Sequence, residues 1–564
     1  MENPSGEDGG ARNGRSPRWC LPAAILAAAV GLGLLVDSLG RSSAVYDEVA
    51  YLRLGARWWR TGAQAEIARM GTPLLFFKLQ QSPAYFALDR LGRGSWVDDP
   101  IGHQSELLPW VRLGSTWIWL AGLALTAGWA RSIYGPRAMV FAAWLYALSP
   151  NILAHGPLAT METPILAATA GVSWLFWSFL QTGRRRLFWA SAVGAGLAFA
   201  LKFTAVLLPP LFALVWWVDR FRLGERGMAR LTGRVALKMV GFALAMLLTD
   251  WAVGGFAAIP PSQRVGVHPS FDGRFGPAGD RIVARLLETP MPQDWVAFAT
   301  QVRLQRSGGP SYLLGERRMR GWWYYYFVAL AAKAPLALAW VTGVRSTCGR
   351  PSRSAGRAWI LPTMVGAFLA IAAAGSSRNY GVRYLLPAAP LAIVWISGAA
   401  ESSRLGRWGA WAGLAGFAWA VASIHPHELT YFNAIAGGPT GGRAILSDSN
   451  LDWGQGARSL ARLQRSRPEF RDLTLYYFGD TDPAHYGVIG RIYVIDALRS
   501  PRDLPPRLAA RSTYLAISAS LQWGPWGPPG YFAPGEGVEP AATTDDGTIV
   551  VYRTADLSLE SVDQ

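Results

Sequence analysis

The sequence predicts a polytopic α-helical membrane protein that carries a small C-terminal α/β domain. Of the 564 residues, 51% are hydrophobic and only 16% are charged, whereas soluble domains contain about 25% charged residues. The apolar residues form runs close to the ~20 residues that a bilayer-spanning helix needs. The net charge is +17, and its basic residues lie in short loops between these runs. This placement indicates a lipid bilayer, and not a nucleic acid, as their partner.

The apolar runs divide the chain into a tail, a membrane domain and a C-terminal domain. Residues 1–18 lack apolar periodicity and predict a disordered cytoplasmic tail. A transmembrane domain is predicted over 19–424, with outer loops at 38–107 and 259–321. Its first span, 19–36, has no cleavage pattern after it and is predicted to be retained. The further single spans are predicted at about 108–130, 138–154, 163–180, 235–257, 322–343, 358–375, 384–400 and 407–424.

Loop charges resolve the one run of unusual length, residues 187–218. Arginines precede it at 184–186 and follow it at 220, 222, 226 and 230, so the positive-inside rule places both of its ends in the cytoplasm. We therefore predict a hairpin whose outer tip lies near Lys202. About eleven spans result, in a multi-pass protein of the inner (plasma) membrane with a cytoplasmic N-terminus and an extracytoplasmic C-terminal domain.

Residues 425–564 have the composition of a globular domain and are predicted to form a small extracytoplasmic α/β fold. A helical stretch is predicted near 455–465. Strands are predicted at 443–447, 473–478, 513–518 and 548–552.

Two adjacent carboxylates, Asp47 and Glu48, follow the first span directly and are the first candidates for chemistry. At the outer membrane surface they could accept a proton or hold a hydroxyl group. The alternative is structural, because Asp47 is a suitable helix N-cap and Glu48 suits a first helical turn.

A third acid, Glu162, lies at the outer end of the fourth predicted span. Thr163 and Pro164 can begin that helix, so Glu162 could simply complement its dipole. Lys202, at the predicted hairpin tip, could extend toward the lipid headgroups or meet an anionic ligand at the bilayer surface.

Arg378, Arg383 and Tyr384 lie in a short outer loop before the tenth span, where the positive-inside rule does not favour arginine. An arginine fork can bind a phosphate with two hydrogen bonds, which makes these residues candidates for phosphate binding. Solvated arginines, or a partner for Glu48, are the alternative.

The segment 448–455, with the sequence DSNLDWGQ, is the candidate in the C-terminal domain. It is predicted to follow a strand and precede a helix, a position where α/β sheets often bind ligands. Carboxylates, an amide and an indole suit a sugar, since hydroxyls need hydrogen bonds and the ring face packs on an aromatic. The alternative is a helix start capped by Asp452. The candidate substrate-binding residues here are Asp448, Asn450, Asp452 and Trp453.

Other site types lack their signatures. The two cysteines, Cys20 and Cys348, are too few for a disulfide framework or a zinc site, and the six histidines show no HExxH spacing. No Walker A motif, strand-anchored GxGxxG or GxSxG elbow is present. No metal site or cofactor is therefore predicted, although a divalent cation held by carboxylates, water and phosphate stays open.

Several of these motifs, taken in order, resemble a known family. The chain has Asp47-Glu48 after its first span, then Ser149 to Gly156 with an acid six residues on, and then Lys202-Phe203-Thr204. Later come the segments 321–326, 383–387, 431–433 and 448–455. This order resembles the protein O-mannosyltransferase and aminoarabinose transferase family of C-type glycosyltransferases, in a bacterial branch.

The resemblance implies a GT-C fold and an enzyme that moves a sugar from a polyprenyl-phosphate donor to an extracytoplasmic acceptor with inversion. It implies that Asp47 is the base, with Glu48 holding cationic or substrate groups beside it. Glu162 would replace the second acid, where the family favours Asp. Lys202 and Arg383 would bind phosphate. Neither the sugar nor the acceptor, which could be protein, lipid or glycan, is specified.

The residue types fit this chemistry independently of the resemblance to the family. A lipid phosphate leaves as an anion, so the enzyme needs cations more than a general acid, while the acceptor hydroxyl needs one carboxylate base. The alternative is a transporter or flippase of a lipid-linked sugar, for which the polar residues Asp250 and Lys333 within predicted spans would be relevant. A catalytically silent scaffold is the third hypothesis.

Overall fold

The computed structural model describes residues 17–225, 227–263, 276–348, 356–375, 377–496, 512–528, 530–535 and 537–557. The predicted cytoplasmic tail lies almost wholly outside these residues.

Helices dominate the described residues, and the longest of them form a bundle around one apolar core. The α-helices are α1 (Cys20–Ser38), α2 (Tyr46–Thr61), α3 (Ala65–Arg69), α4 (Ser82–Arg90), α5 (Gly94–Asp98), α6 (Gln104–Tyr134), α7 (Pro136–Ala147), α8 (Pro150–His155), α9 (Glu162–Thr182), α10 (Arg185–Leu201), α11 (Leu208–Arg222), α12 (Met228–Val253), α13 (Gly276–Glu288), α14 (Gln293–Ser307), α15 (Tyr325–Lys333), α16 (Leu336–Cys348), α17 (Ile360–Gly375), α18 (Ala389–Ser397), α19 (Arg404–Ala422), α20 (Gly438–Gly442), α21 (Ala457–Ser466) and α22 (Ala519–Gln522).

Several of these helices are suited to a bilayer. On α12, the side chains of Leu237, Val240, Leu244 and Leu248 are all more than half exposed and recur at helical spacing, so they form an apolar stripe that fits lipid. Helices α15 and α16 meet at an angle of 99°, where Pro335 prevents a continuous helix. Among the described residues, five helical segments are long and apolar enough to cross a membrane, or six if this bent pair is one span. The membrane class is thus supported, while the figure of about eleven spans stays a prediction.

The long run at 187–218 is divided into two helices, as its length and flanking charges predict. Helix α10 ends at Leu201, and α11 begins at Leu208 after a 3-10 turn over 203–207. Lys202 lies at the break with extended backbone angles, φ −160° and ψ 131°. The Lys202 side chain therefore extends from the junction between two helices and not from the face of a regular helix.

The C-terminal region contains five strands: β5 (Leu473–Phe478), β6 (Arg491–Ile495), β7 (Tyr514–Ser518), β8 (Ala542–Thr543) and β9 (Ile549–Arg553). They form one sheet in the order β6-β5-β7-β9-β8. Strand β5 pairs in parallel with β6 and β7, whereas β9 pairs antiparallel with β7 and β8. The other strands of the described residues are β1 (Ala258–Ile259), β2 (Met291–Pro292), β3 (Ser311–Leu313) and β4 (Glu316–Arg318).

One strand prediction is wrong. Residues 443–447 form turns and not a strand, because the preceding glycine-rich segment folds into the short helix α20. The N–H groups of Ile445 and Leu446 both donate to the carbonyl of Gly442, so local turns use donors that a sheet ladder would need. The segment 448–455 therefore does not lie at the carboxyl end of a strand.

A histidine joins α1 to the segment that follows α19. His425 Nδ1 lies 2.6 Å from Glu428 Oε1, and its Nε2 lies 3.2 Å from Asp37 Oδ2. The hydrogen bond with Glu428, followed by the charges of Glu428 and Asp37, raises the pKa of His425 above its usual value even though burial lowers it.

This junction predicts a pH dependence of stability. Because protonation of His425 is favoured in the folded state, its contribution is complete below about pH 6.5, the usual pKa, and is lost as the pH rises through the raised pKa. We expect the melting temperature of the purified protein to fall over that window and His425→Gln to flatten the profile. His485→Gln, at an exposed position, is the control and should leave the profile unchanged. Identical profiles for wild type and His425→Gln would contradict the assignment.

Candidate active site

The two adjacent acids occupy the first turn of α2 and point to different surroundings. Val45, in extended backbone, precedes the helix, and its N–H donates to Glu48 Oε2 at 3.0 Å. Glu48 therefore closes the helix N-terminus from within the first turn. Asp47 leaves the helix on another side, with its side chain 28% exposed.

Glu48 is fully buried in a bidentate pair with Arg112 of α6. Arg112 Nε lies 2.9 Å from Glu48 Oε1, and Nη2 lies 2.7 Å from Oε2; both side chains are 0% exposed. Oε1 also accepts the N–H of Ala159 at 2.7 Å. The expectation that Glu48 acts directly on substrate is corrected here, because both of its oxygens are inaccessible and already bonded. The remaining donors of Arg112 bind the carbonyls of Leu39, Ser42 and Ser43.

Four side chains from distant parts of the sequence form a charged cluster, which we call the rim cluster: Asp47, Glu162, Lys202 and Arg383. Arg383 Nη1 lies 2.8 Å from Asp47 Oδ2 and 3.6 Å from Glu162 Oε1. Lys202 Nζ donates to the same Glu162 oxygen at 2.8 Å. Helix α2, the start of α9, the α10–α11 junction and the 3-10 segment 382–388 each supply one member. Two acids and two cations are thus brought together.

Aromatic rings flank the cationic members of the rim cluster. The Arg383 guanidinium carbon lies 4.0 Å from the centroid of Trp453 and 5.4 Å from that of Tyr384. Lys202 Nζ lies 5.5 Å from the Tyr384 centroid. Cation–π contacts of this kind stabilise charges that have lost water. Tyr384 and Trp453, both sequence candidates, therefore line the cluster.

Arg383 keeps unused binding capacity. Its side chain is 8% exposed, and its buried Nε–H has no hydrogen-bond partner among the residues that the structure describes. A buried donor without an acceptor is costly, so this N–H is available to a hydrogen-bond acceptor that enters the site.

Arg378 contacts a different segment from the one that Arg383 contacts. Its Nε donates to the carbonyl of Gly308 at 2.7 Å, and its guanidinium carbon lies 5.9 Å from the ring centroid of Tyr380. The two arginines were expected to bind one phosphate together. Of the two arginines we retain Arg383 for that role, because Arg378 lies against the loop before β3.

The segment 448–455 meets the rim cluster through Trp453 and Asp448. Asp448 has a positive φ of 57°, a strained conformation for a residue with a side chain. Burial raises the pKa of its carboxyl to about 6, with the Arg383 charge acting in the opposite direction. Asp448 is therefore a third acidic group in the surroundings of Arg383, after Asp47 and Glu162.

The polar side-chain atoms of Asn450 and Asp452 bind the protein itself. Asn450 is 0% exposed, and its side chain bonds Val382 N–H, the Tyr325 hydroxyl and the Ser447 carbonyl. Asp452 accepts the N–H groups of Gly454 and Ser520 at 3.0 and 2.9 Å. Burial raises the pKa of Asp452 to about 7. The expectation that these two side chains contact a sugar is corrected, because neither is accessible.

Two relevant residues were not among the sequence candidates. Arg112 lies four residues into a predicted span, and an arginine at that depth is itself a signal of a buried partner. Tyr51 follows Asp47 by one helical turn. Burial, and then the charges of Asp47 and Glu162, raise the pKa of Tyr51 well above its usual value.

Lys333, which suggested a transporter, serves the protein internally. It is 2% exposed, and its Nζ donates to the carbonyls of Leu429 and Asn450 at 2.8 and 2.6 Å. The ring centroid of Phe432 lies 4.6 Å away. Separately, the described residues contain no group of three or more His, Cys, Asp or Glu side chains placed to hold a metal ion.

The fold and the rim cluster define a helical membrane protein with a paired acid–cation site beside a small sheet region. A family model described as dolichyl-phosphate-mannose-protein mannosyltransferase matches residues 109–247, about a quarter of the chain. The matched segment contains Glu162 and Lys202 of the rim cluster. The resemblance to this family of glycosyltransferases, predicted from the motifs, is confirmed for that segment.

The chain is also similar to solved structures over most of its length. ArnT from Cupriavidus metallidurans in the apo state aligns at 14% identity and a TM-score of 0.46, over 96% of this chain and 99% of that one. The same protein bound to undecaprenyl phosphate aligns at 15% identity and a TM-score of 0.44, over 94% of this chain and 97% of that one. A third structure is the archaeal oligosaccharyltransferase AglB from Archaeoglobus fulgidus in complex with an inhibitory peptide and a dolichol-phosphate. It aligns at 12% identity and a TM-score of 0.41, over 89% of this chain and 70% of that one. These values are too low to transfer residue roles. No curated protein sequence matches the chain significantly.

Proposed function

We propose that the protein is a membrane glycosyltransferase that moves a sugar from a polyprenyl-phosphate donor to an acceptor hydroxyl on the extracytoplasmic side, with inversion. The observation that carries the proposal is the pairing of accessible Asp47 with Arg383, whose buried Nε–H has no partner among the described residues. A phosphate provides the acceptor that this donor needs. The family-model match over 109–247 supports the same activity.

In the proposed reaction, the donor phosphate binds Arg383 and Lys202 and draws Arg383 away from Asp47. The freed carboxylate of Asp47 takes the proton of the acceptor hydroxyl, whose oxygen attacks the anomeric carbon. The bond from that carbon to the phosphate oxygen breaks, and its electron pair leaves with the polyprenyl phosphate. The cations stabilise this anion, and a single displacement inverts the anomeric carbon.

An apolar cavity supports a lipid substrate. It has a volume of about 160 Å³ and is lined by residues of α7, α8 and α15 to α19 together with the 3-10 segment 382–388. Its lining reaches Val382, the residue directly before Arg383, and includes Pro335 at the bend between α15 and α16. We assign the isoprenoid chain of the donor to this cavity.

Reconstitution tests the proposal and separates it from transport. Purified protein in liposomes, given radiolabelled undecaprenyl-phosphate hexoses or pentoses together with a membrane extract as acceptor, should release free undecaprenyl phosphate and label the acceptor. Transbilayer movement of the intact donor without sugar transfer would instead identify a flippase. No release from any of these donors would overturn the proposal.

Lys202→Met should lower the rate of transfer by on the order of 100-fold, the usual effect of removing one group that stabilises a developing anion. Lys238→Met is the matched control, because Lys238 lies on α12 against Trp216 and outside the rim cluster. We expect that control to transfer sugar at the wild-type rate. Equal rates for Lys202→Met and Lys238→Met would remove Lys202 from the site.

A further inference from the structure

We propose that residues 448–453, called here the DSNLDW segment, position Arg383 and the first turn of α2 relative to each other, so that Asn450 and Trp453 are positioning residues of the rim cluster. The inference rests on the proposed function for its consequence in catalysis. Its structural part, the control of Arg383 by this segment, stands on contacts alone.

The segment holds the backbone that leads into Arg383. Asn450 Oδ1 accepts the N–H of Val382 at 2.9 Å, and the Ser449 hydroxyl donates to the carbonyl of Tyr380. Between them, Gly381 has φ 131°, and a Cβ on it would lie 2.3 Å from Ser449 Oγ. The DSNLDW segment and the stretch 380–382 approach each other so closely that only a glycine fits at position 381.

The segment also holds the side chain of Arg383 and the start of α2. The indole of Trp453 lies under the guanidinium at 4.0 Å, which fixes the plane of the fork. The carbonyl of the same residue accepts the N–H of Tyr46 at 2.8 Å, directly before Asp47. One residue therefore contacts the elements that carry both partners of the Asp47–Arg383 pair.

The membrane helices in turn hold the segment. Lys333 Nζ donates to the carbonyl of Asn450 at 2.6 Å, and the amide of Asn450 donates to the Tyr325 hydroxyl at 2.9 Å. Both partners belong to α15: Tyr325 begins this helix, and Lys333 ends it just before the bend with α16. Lys333 is 2% exposed, so its hydrogen bonds to the carbonyls of Leu429 and Asn450 are shielded from competition with water. Helix α15 therefore fixes the segment, which fixes Arg383.

The first test measures the contact without requiring activity. We expect Trp453→Leu and Arg383→Met to shift the melting temperature non-additively, because each removes one side of the same contact. Trp523→Leu is the matched control, since the Arg443 guanidinium carbon lies 4.1 Å from the Trp523 centroid at a different place. This control should combine additively with Arg383→Met. Additive shifts for Trp453→Leu and Arg383→Met would overturn the inference.

The second test measures binding of undecaprenyl phosphate to the protein in nanodiscs by native mass spectrometry. Trp453→Leu should weaken binding by on the order of 10-fold, the effect of a desolvated cation–π contact, with kcat changed less than KM. Trp453→Phe keeps an aromatic face and should restore most of the affinity, and Trp523→Leu should bind as wild type. If Trp453→Leu does not fold, Ser449→Ala, which removes one hydrogen bond, should weaken binding by roughly 3-fold.

The outcomes distinguish the two proposals. Wild-type affinity in folded Trp453→Leu, or in Ser449→Ala where that variant stands in for it, would overturn the positioning role while leaving the glycosyltransferase proposal intact. A wild-type protein that binds no undecaprenyl phosphate would overturn the proposed function, and the melting-temperature cycle would then decide the positioning role alone.

Discussion

Asp47→Asn is expected to lower the rate of sugar transfer by at least ~100-fold while the protein remains folded and inserted, the usual loss when a general base is removed. Asparagine has nearly the same size as aspartate but neither its charge nor its basicity. The same change releases Arg383, because the 2.8 Å ion pair with Asp47 is lost. We therefore expect donor affinity to stay constant or to increase while kcat falls.

A fall in kcat without a rise in KM is the signature of the mechanism. A purely structural Asp47 would instead lose stability and affinity together. Asp556→Asn, at an exposed position near the end of the described chain, is the control and should transfer sugar as wild type. The measurement is steady-state release of undecaprenyl phosphate against donor concentration. Near-normal kcat in Asp47→Asn would reject Asp47 as the base.

Arg112→Met is expected to destabilise the protein by about 3–5 kcal/mol, because it leaves the buried charge of Glu48 without its partner. Both side chains are fully buried, and the pair also organises the N–H groups of Val45 and Ala159. Glu48→Gln should have a smaller effect, since an amide oxygen still accepts one of these hydrogen bonds. Thermal unfolding in detergent gives the free-energy difference.

The exposed pair Arg53–Asp480 provides the comparison for this prediction. Its atoms also lie close, at 3.0 Å, but the side chains are 50% and 26% exposed. Pairs of this kind contribute about 0–1 kcal/mol, so Arg53→Met should unfold close to the wild-type temperature. Equal losses in the free energy of unfolding for Arg53→Met and Arg112→Met would show that burial does not determine how strongly the Glu48–Arg112 pair stabilises the protein.

The Glu48–Arg112 pair also bears on how Asp47 acts. Glu48 fixes the first turn of α2 from inside the protein, and Asp47 occupies the same turn one residue earlier. The DSNLDW segment also holds that turn, because the carbonyl of Trp453 accepts the N–H of Tyr46. An acid held on both sides needs little reorganisation when Arg383 moves from it to the donor phosphate. Catalysis requires this kind of preorganisation.

The sequence by itself determined the class of protein and the local elements. Composition and run length predict membrane helices because a bilayer accepts only apolar helical spans, and the flanking arginines divide 187–218 at Lys202 as the structure has it. Strands at 473–478, 513–518 and 548–552 follow from local alternation and reappear as β5, β7 and β9 within one residue. The acids and cations that could carry chemistry were also recognisable as residue types.

Only the tertiary structure decided which of these residues meet. Asp47 and Glu48 are adjacent in sequence, yet one faces Arg383 and the other is enclosed by Arg112. The segment 448–453 has the composition of a sugar site, yet Asn450 and Asp452 are buried against the protein. The strand predicted at 443–447 became turns because glycines next to it favoured local hydrogen bonds. Local pattern reports the preferences of one segment, whereas burial and ion pairing depend on residues hundreds of positions away.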